Sequence, residues 1–183
     1  MSAMSEKTMR PRPCEVLLDQ DRIARRIEQL GTQISADYAG KQPVLVGVLK
    51  GAAVFVADLM RQVTIPIELE FIHAASYRQG TRRGETLTLG GTLSVVLKGR
   101  HVLLVEGVVD TGRTVSRILE RIRSQEPASV EIVTLLDKPA SHRTKLSIKY
   151  KGFTIGNEFV IGYGMDNAQQ YRNLPFIGRV VDG

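Results

Sequence analysis

Two carboxylates four residues apart, Glu106 and Asp110, follow an unbroken apolar run in VLLVEGVVDTGRT, residues 102–114. A loop that only turned a corner would need neither two acids nor the two hydroxyls of Thr111 and Thr114. If a helix starts after Asp110, its first backbone N–H groups are unpaired, and with the helix dipole they favour a phosphate. Gly112 lets the backbone approach such a group closely, and Thr111 and Thr114 add donors. The acids at the other end suit hydroxyls or a divalent metal. A ligand with a 5-phosphate, free ribose hydroxyls and bound magnesium satisfies both ends. Two other phosphate loops are excluded. GxxxxGK[ST] is absent, and the near-match to GxGxxG at Gly162-Tyr163-Gly164 fails at Asn167. That argues against a P-loop ATPase and a dinucleotide-binding unit.

The elements around this loop read as alternating strand and helix. Asp19 is an N-cap candidate for a helix over 20–38, with Ile23, Ile27, Leu30 and Ile34 on one stripe. The run 44–49 is wholly apolar, as in a buried parallel strand. Lys50-Gly51 turns the chain into a helix over 52–62 with Val56, Leu59 and Met60 inward. Further strands are expected over 67–73, 93–97, 102–105, 130–136, 159–162 and 177–181, and a helix over 115–124. Residues 76–91 are polar and glycine-bearing, the length of a lid or a disordered loop. The pattern predicts an α/β fold with a largely parallel twisted sheet flanked by helices. In such a sheet ligands bind outside the carboxyl ends of the strands, where residues 106–114 must lie.

The chain has 183 residues, 43% hydrophobic and 24% charged, which suits one domain with a real core. Residues 1–14 read as a disordered tail and 15–183 as the domain. Apolar runs are too short to span a membrane, and the start has no secretory apolar core. With one cysteine, Cys14, no internal disulfide forms, and a cytoplasmic location is expected. The net charge of +6 is spread over the tail and YRQGTRRGE (77–85). It reads as a solvated surface, or as attraction for an anionic ligand.

The loop at 106–114 resembles the phosphoribosyl-pyrophosphate (PRPP) signature of the type I phosphoribosyltransferases. LVGVLKGAAVFVADL (45–59) is similar to the pyrophosphate loop of their hypoxanthine-guanine branch, and LEFIHAASY (69–77) to its strand and lid start. LLDKP (135–139) and NEFVIGYGMD (157–166) resemble its purine pocket, and YRNLPFIG (171–178) its C-terminal segment. The matches run in order from about residue 15 to residue 181. The resemblance implies the type I fold, with a small hood built from the terminal segments. It implies transfer of ribose 5-phosphate from PRPP to hypoxanthine or guanine, releasing pyrophosphate, with Mg2+ as cofactor. Glu106 matches the acid on the ribose hydroxyls and a first magnesium, and Asp110 the general acid/base beside purine N7. Asp110, Thr111, Gly112, Arg113 and Thr114 match the 5-phosphate cradle. Lys138 matches the donor to the purine O6, which selects against adenine because an ammonium can only donate. Phe159 matches the ring stacked on the base, and Val160 a backbone contact to its edge. Asp166 matches the purine-pocket acid that holds a second magnesium. Lys50, Gly51 and Arg172 match pyrophosphate contacts, and Ser76 and Tyr77 the lid. The implied partners are small molecules and further copies of the chain, as a homodimer or homotetramer. Neither membrane nor nucleic acid is expected.

Two positions depart from the family pattern. Gly107 stands where the family usually has a second acid. A hydrogen bond to a charged group is worth about 1.5–3 kcal/mol, so uncompensated loss of one weakens PRPP or transition-state binding roughly ten- to a hundredfold; an active enzyme with somewhat weaker PRPP or magnesium use is expected, and Gly107→Asp is expected to lower the PRPP KM or raise turnover. Asn167 replaces a frequent tyrosine. For an arginine that reaches pyrophosphate, His142 and Arg143 are both candidates. His73, His101 and His142 show no metal-ligand spacing. The runner-up reading is a PRPP- or nucleotide-sensing regulator of the same fold that binds nucleic acid. A weaker one is transfer to xanthine or a pyrimidine.

Overall fold

A computed structural model describes residues 14–77, 86–90 and 93–181. Chain order is β1 (Cys14–Leu18), α1 (Gln20–Asp37), β2 (Val44–Leu49), α2 (Ala53–Gln62), β3 (Glu68–Tyr77) and β4 (Thr86–Gly90). There follow β5 (His101–Val109), α3 (Arg113–Arg123), β6 (Ser129–Asp137), a 3-10 turn (Pro139–Ser141), β7 (Tyr150–Thr154), β8 (Val160–Ile161) and β9 (Ile177–Val180).

The main sheet has the order β4-β3-β2-β5-β6-β7. Five of its strands are parallel, and β4 is antiparallel to β3. The central strands are covered on both faces, which is why they read as continuous apolar runs. Leu45, Leu103 and Val105 pack with Ile27, Leu30, Phe55 and Leu59 of α1 and α2. Val46 and Leu104 pack with Ile118 and Ile122 of α3. Asp19 caps α1 as its type predicts, its side chain accepting from the Arg22 N–H at 2.8 Å.

A second, antiparallel sheet, β1-β9-β8, forms the hood. It joins the two ends of the chain, with Cys14 opposite Val180 and Val160 opposite Arg179. The expected tail therefore stops before Cys14, which opens β1; residues 1–13 lie outside the described residues.

Other expectations are corrected. Met60 is 38% exposed; Phe55 takes the inward place beside Val56 and Leu59. Residues 93–97 form no strand, because the Glu70 carboxylate accepts the Ser94 N–H at 2.7 Å and holds that segment outside the ladder. The polar stretch 76–91 is partly a ribbon: Ser76 pairs with Leu87 and Tyr77 with Thr86. Residues 78–85 and 91–92 lie outside the described residues. The strand expected over 102–105 runs on to Val109, because β6 continues beside it to Asp137. No described helix is long and apolar enough to cross a membrane.

Candidate active site

At the carboxyl end of the sheet lies a cavity of about 590 Å³. Its walls include Lys50 and Gly51 after β2, Glu106 to Thr114 from β5 into α3, Lys138 after β6, and Phe159, Val160, Asp166 and Arg172 from the hood. β3 brings His73 and Ala74 to the wall, and Ser76 and Tyr77 follow on the same strand. A side recess of about 130 Å³ is lined by Glu106, Asp110, Thr111, Gly112, Thr114 and Val115.

The recess opens on the start of α3. Gly112 is the N-cap with φ 78, a left-handed conformation that glycine adopts without strain, and no side chain caps the helix. The first N–H groups of α3 are thus left for a ligand, as an anion site requires. Glu106 is buried, and its Oε1 accepts the Gly107 N–H at 2.9 Å. Burial raises its pKa to about 8, against the opposing pull of the Gly107 and Val108 N–H groups.

Lys138 Nζ stands 3.3 Å from Asp110 Oδ2, the lysine side chain only 7% exposed and the aspartate 51%. The Lys138 N–H donates to the Val109 carbonyl at 2.9 Å, which fixes the lysine beside the end of β5. A buried donor thus adjoins an acid open to the cavity. Phe159 is 53% exposed while its neighbour Val160 is buried, so the hood presents one aromatic ring outward beside a packed backbone.

At the other end of the cavity, Arg172 Nη2 lies 2.7 Å from Asp166 Oδ1, and Arg172 Nη1 donates to the Gly164 carbonyl at 2.7 Å. Gln169 connects this pair to the β2–α2 turn: its Oε1 accepts from Lys50 Nζ and Arg172 Nη2, each at 3.3 Å, and its N–H donates to Asp166 Oδ2 at 2.8 Å.

A phosphoribosyl transferase domain model matches residues 14–168. The hypoxanthine-guanine phosphoribosyltransferase of Streptococcus pneumoniae is 43% identical over 164 residues, covering 90% of this chain and 91% of that one. The chain belongs to the hypoxanthine-guanine phosphoribosyltransferases. Among solved structures of the family, the Bacillus anthracis hypoxanthine-guanine enzyme, with HEPES in its active site, superposes with a TM-score of 0.86 at 36% identity. That match covers 91% of this chain and 98% of the other. The Staphylococcus aureus hypoxanthine phosphoribosyltransferase matches with a TM-score of 0.86 at 39% identity, covering 91% of each chain. The architecture is the type I fold, and the chain is a phosphoribosyl-transferring enzyme of purine salvage. These relatives are enzymes, and the nucleic-acid-binding regulator finds no support among them.

Against the family pattern, the sheet and hood bring Lys50, Gly51, Glu106, Asp110, Thr114, Lys138, Phe159, Val160, Asp166 and Arg172 around one cavity. Thr111 and Gly112 line the recess, and Arg113 opens α3. Neither His142 nor Arg143 lines the main cavity. His142 Nε2 lies 2.8 Å from Asp137 Oδ1, and the Arg143 N–H donates to the Thr111 carbonyl at 2.9 Å. Gln169 escaped sequence reasoning because a glutamine in a turn has no chemical signature. Asp137 escaped it as the silent neighbour of Lys138, yet it is buried against both His142 and Lys151.

The donor set can be tested for magnesium. Among the described residues no three His, Cys, Asp or Glu side chains gather as a metal site. Magnesium is commonly held by one or two carboxylates plus substrate phosphates. Asp166, on the cavity wall beside Lys50 and Arg172, fits a metal that arrives with a phosphorylated substrate.

Proposed function

We propose that the cavity binds PRPP and a 6-oxopurine and transfers the 5-phosphoribosyl group to hypoxanthine or guanine, giving IMP or GMP and pyrophosphate. The observation that carries this reading is the 3.3 Å pairing of buried Lys138 with open Asp110. A carbonyl acceptor beside a ring nitrogen is the edge that a 6-oxopurine offers. Lys138 donates to O6 there, and Asp110 holds the proton exchanged at N7. Phe159 stacks on the base, and the Val160 backbone meets its edge. The N–H groups from Thr111 to Thr114 hold the 5-phosphate. As the bond from the anomeric carbon to pyrophosphate breaks and that to the purine nitrogen forms, positive charge develops on the ribose. The Asp110 carboxylate opposes it, and Glu106 meets the ribose hydroxyls. Pyrophosphate leaves toward Lys50, Gly51 and Arg172. Ser76 and Tyr77 belong to the lid that excludes water. Asp166 and Glu106 would hold magnesium that arrives with PRPP, and when bound it would neutralise charge on the pyrophosphate.

The test mixes protein, PRPP and magnesium with hypoxanthine, guanine, xanthine or adenine and follows nucleotide formation by ultraviolet absorbance. Turnover with hypoxanthine or guanine and none with adenine is expected. Turnover with adenine would overturn the role of Lys138, and none with any base would overturn the reading. The same reading implies a cytoplasmic homodimer or homotetramer, which sedimentation would distinguish from a monomer.

A further inference from the structure

Gly107 follows Leu103 and Val105 on the face of β5 that meets α2, because side chains alternate along a strand. A Cβ at 107 would stand 2.9 Å from the Gly51 carbonyl oxygen and 3.2 Å from its carbon. The obstacle is backbone, so it has no rotamer by which to move aside. On another side, a Cβ at Gly164 would stand 2.6 Å from the same oxygen. The Gly51 carbonyl thus occupies a slot that exists only because both neighbours are glycine. Nearby N–H groups are committed elsewhere: Ala52 to the Val48 carbonyl, Ala53 to Lys50 and Val56 to Ala52. No backbone N–H among the described residues bonds the Gly51 oxygen. Gly51 and Glu106 line the same cavity.

We propose that the Gly51 carbonyl is a ribose-hydroxyl acceptor in this chain, standing in the space where the family usually places the second acid. The proposal rests on the PRPP reading of the cavity. A neutral oxygen holds a hydroxyl less tightly than a carboxylate does, but it adds no negative charge beside a polyanionic substrate. It also reverses the expectation that Gly107→Asp repairs a defect. An aspartate there must first push the Gly51 carbonyl out of its slot, and it disturbs the pyrophosphate loop in doing so.

Two measurements test this. In the first, Gly107→Ala and Gly107→Asp are compared with wild type in PRPP-saturation kinetics. The expected result is a several-fold rise in the PRPP KM for both variants, with the hypoxanthine KM little changed. An alanine variant with wild-type kinetics, or an aspartate variant with a lower PRPP KM or higher kcat, would overturn the proposal. The second uses the wild-type chain, so it decides even if the variants do not fold. Gly51-Ala52 is the sole Gly-Ala step in the sequence. Glycine labelled with carbon-13 at the carbonyl and alanine labelled with nitrogen-15 therefore give one coupled signal, that of the Gly51 carbonyl. Ribose 5-phosphate should shift it downfield, as for a carbonyl that gains a hydrogen bond. A signal that moves with pyrophosphate but not with ribose 5-phosphate would sink the idea. Neither shift depends on turnover, so failure of the transferase reading and failure of this proposal are distinguishable.

Discussion

Lys138 brings three donors and no acceptor to a site where its side chain is almost fully enclosed. Replacing it with methionine keeps the stem and removes the donors. A charge-assisted hydrogen bond is worth about 1.5–3 kcal/mol, so kcat/KM for hypoxanthine should fall by roughly ten- to a hundredfold, mostly through the base KM. The melting temperature should hold, because the partner Asp110 is half exposed and can hydrate. Equal losses for PRPP and base would contradict this. Glu106 gives a second expectation, for the metal-free protein. Burial pushes its carboxyl from about 4.5 in the unfolded chain up to about 8 in the folded one. Across that window the folded state keeps a proton that the unfolded state has lost. Its contribution is therefore complete below about 4.5 and disappears as pH rises through about 8. Thermal melts should show stability falling with pH across this range, and Glu106→Gln should flatten the slope. At this scale the sequence was legible wherever a residue type announces its chemistry. Lys138, Asp110, Asp166 and Arg172 stand in motifs, whereas the role of Gln169 depends on a turn that bends it back toward Lys50 and Arg172.

The turn after β6 holds Lys138 in place, and Asp137 is its anchor. Its buried carboxylate pairs with Lys151 Nζ at 2.5 Å, tying the start of the turn to β7, and His142 Nε2 lies 2.8 Å from Oδ1 without hydrogen-bonding geometry. Asp137→Ala removes the partner of Lys151. Breaking a buried pair costs about 3–5 kcal/mol, and with Lys151 partly exposed roughly 2–3 kcal/mol is expected here, read from denaturant midpoints. A loss within error would show the carboxylate to be dispensable. Among the elements, the long buried strands were legible because being covered on both faces demands uninterrupted apolar residues. β5 was foreseen too short because Glu106 looks like a strand terminator. Its carboxyl in fact bends back onto the Gly107 N–H, so the acid sits inside the ladder. β7 was missed because YKGFT is short, with a glycine at its centre. The 76–91 ribbon was missed because the alternation of TLTLG is only four residues long and sits in an otherwise polar, glycine-bearing stretch.

For the whole molecule, the parallel sheet supplies the phosphate end of the cavity and the hood supplies the aromatic end. Removing residues 177–183 deletes β9 and leaves β1 and β8 without a partner. The truncated chain should lose purine turnover and melt lower, since Ile177 is a core residue. It should still bind ribose 5-phosphate, because β5 and α3 belong to the other sheet. Loss of both ligands together in calorimetry would show that the two ends do not fold separately. Two hood strands, β8 and β9, were legible as short apolar runs, but CEVLL carries no more strand signal than a stray apolar triplet, and only the family resemblance joined the chain ends into a hood. Its connectivity bears on how the protein is made. Among the described residues the first strand, β1, pairs with the last, β9. While the chain grows from its N-terminus, the sheet and its phosphate recess can assemble once β7 has been made. The wall that carries Phe159 and Val160 has no partner until residues 177–180 emerge. A growing chain is therefore equipped to hold a sugar phosphate before it can hold a base, which must wait until residues 177–180 are in place.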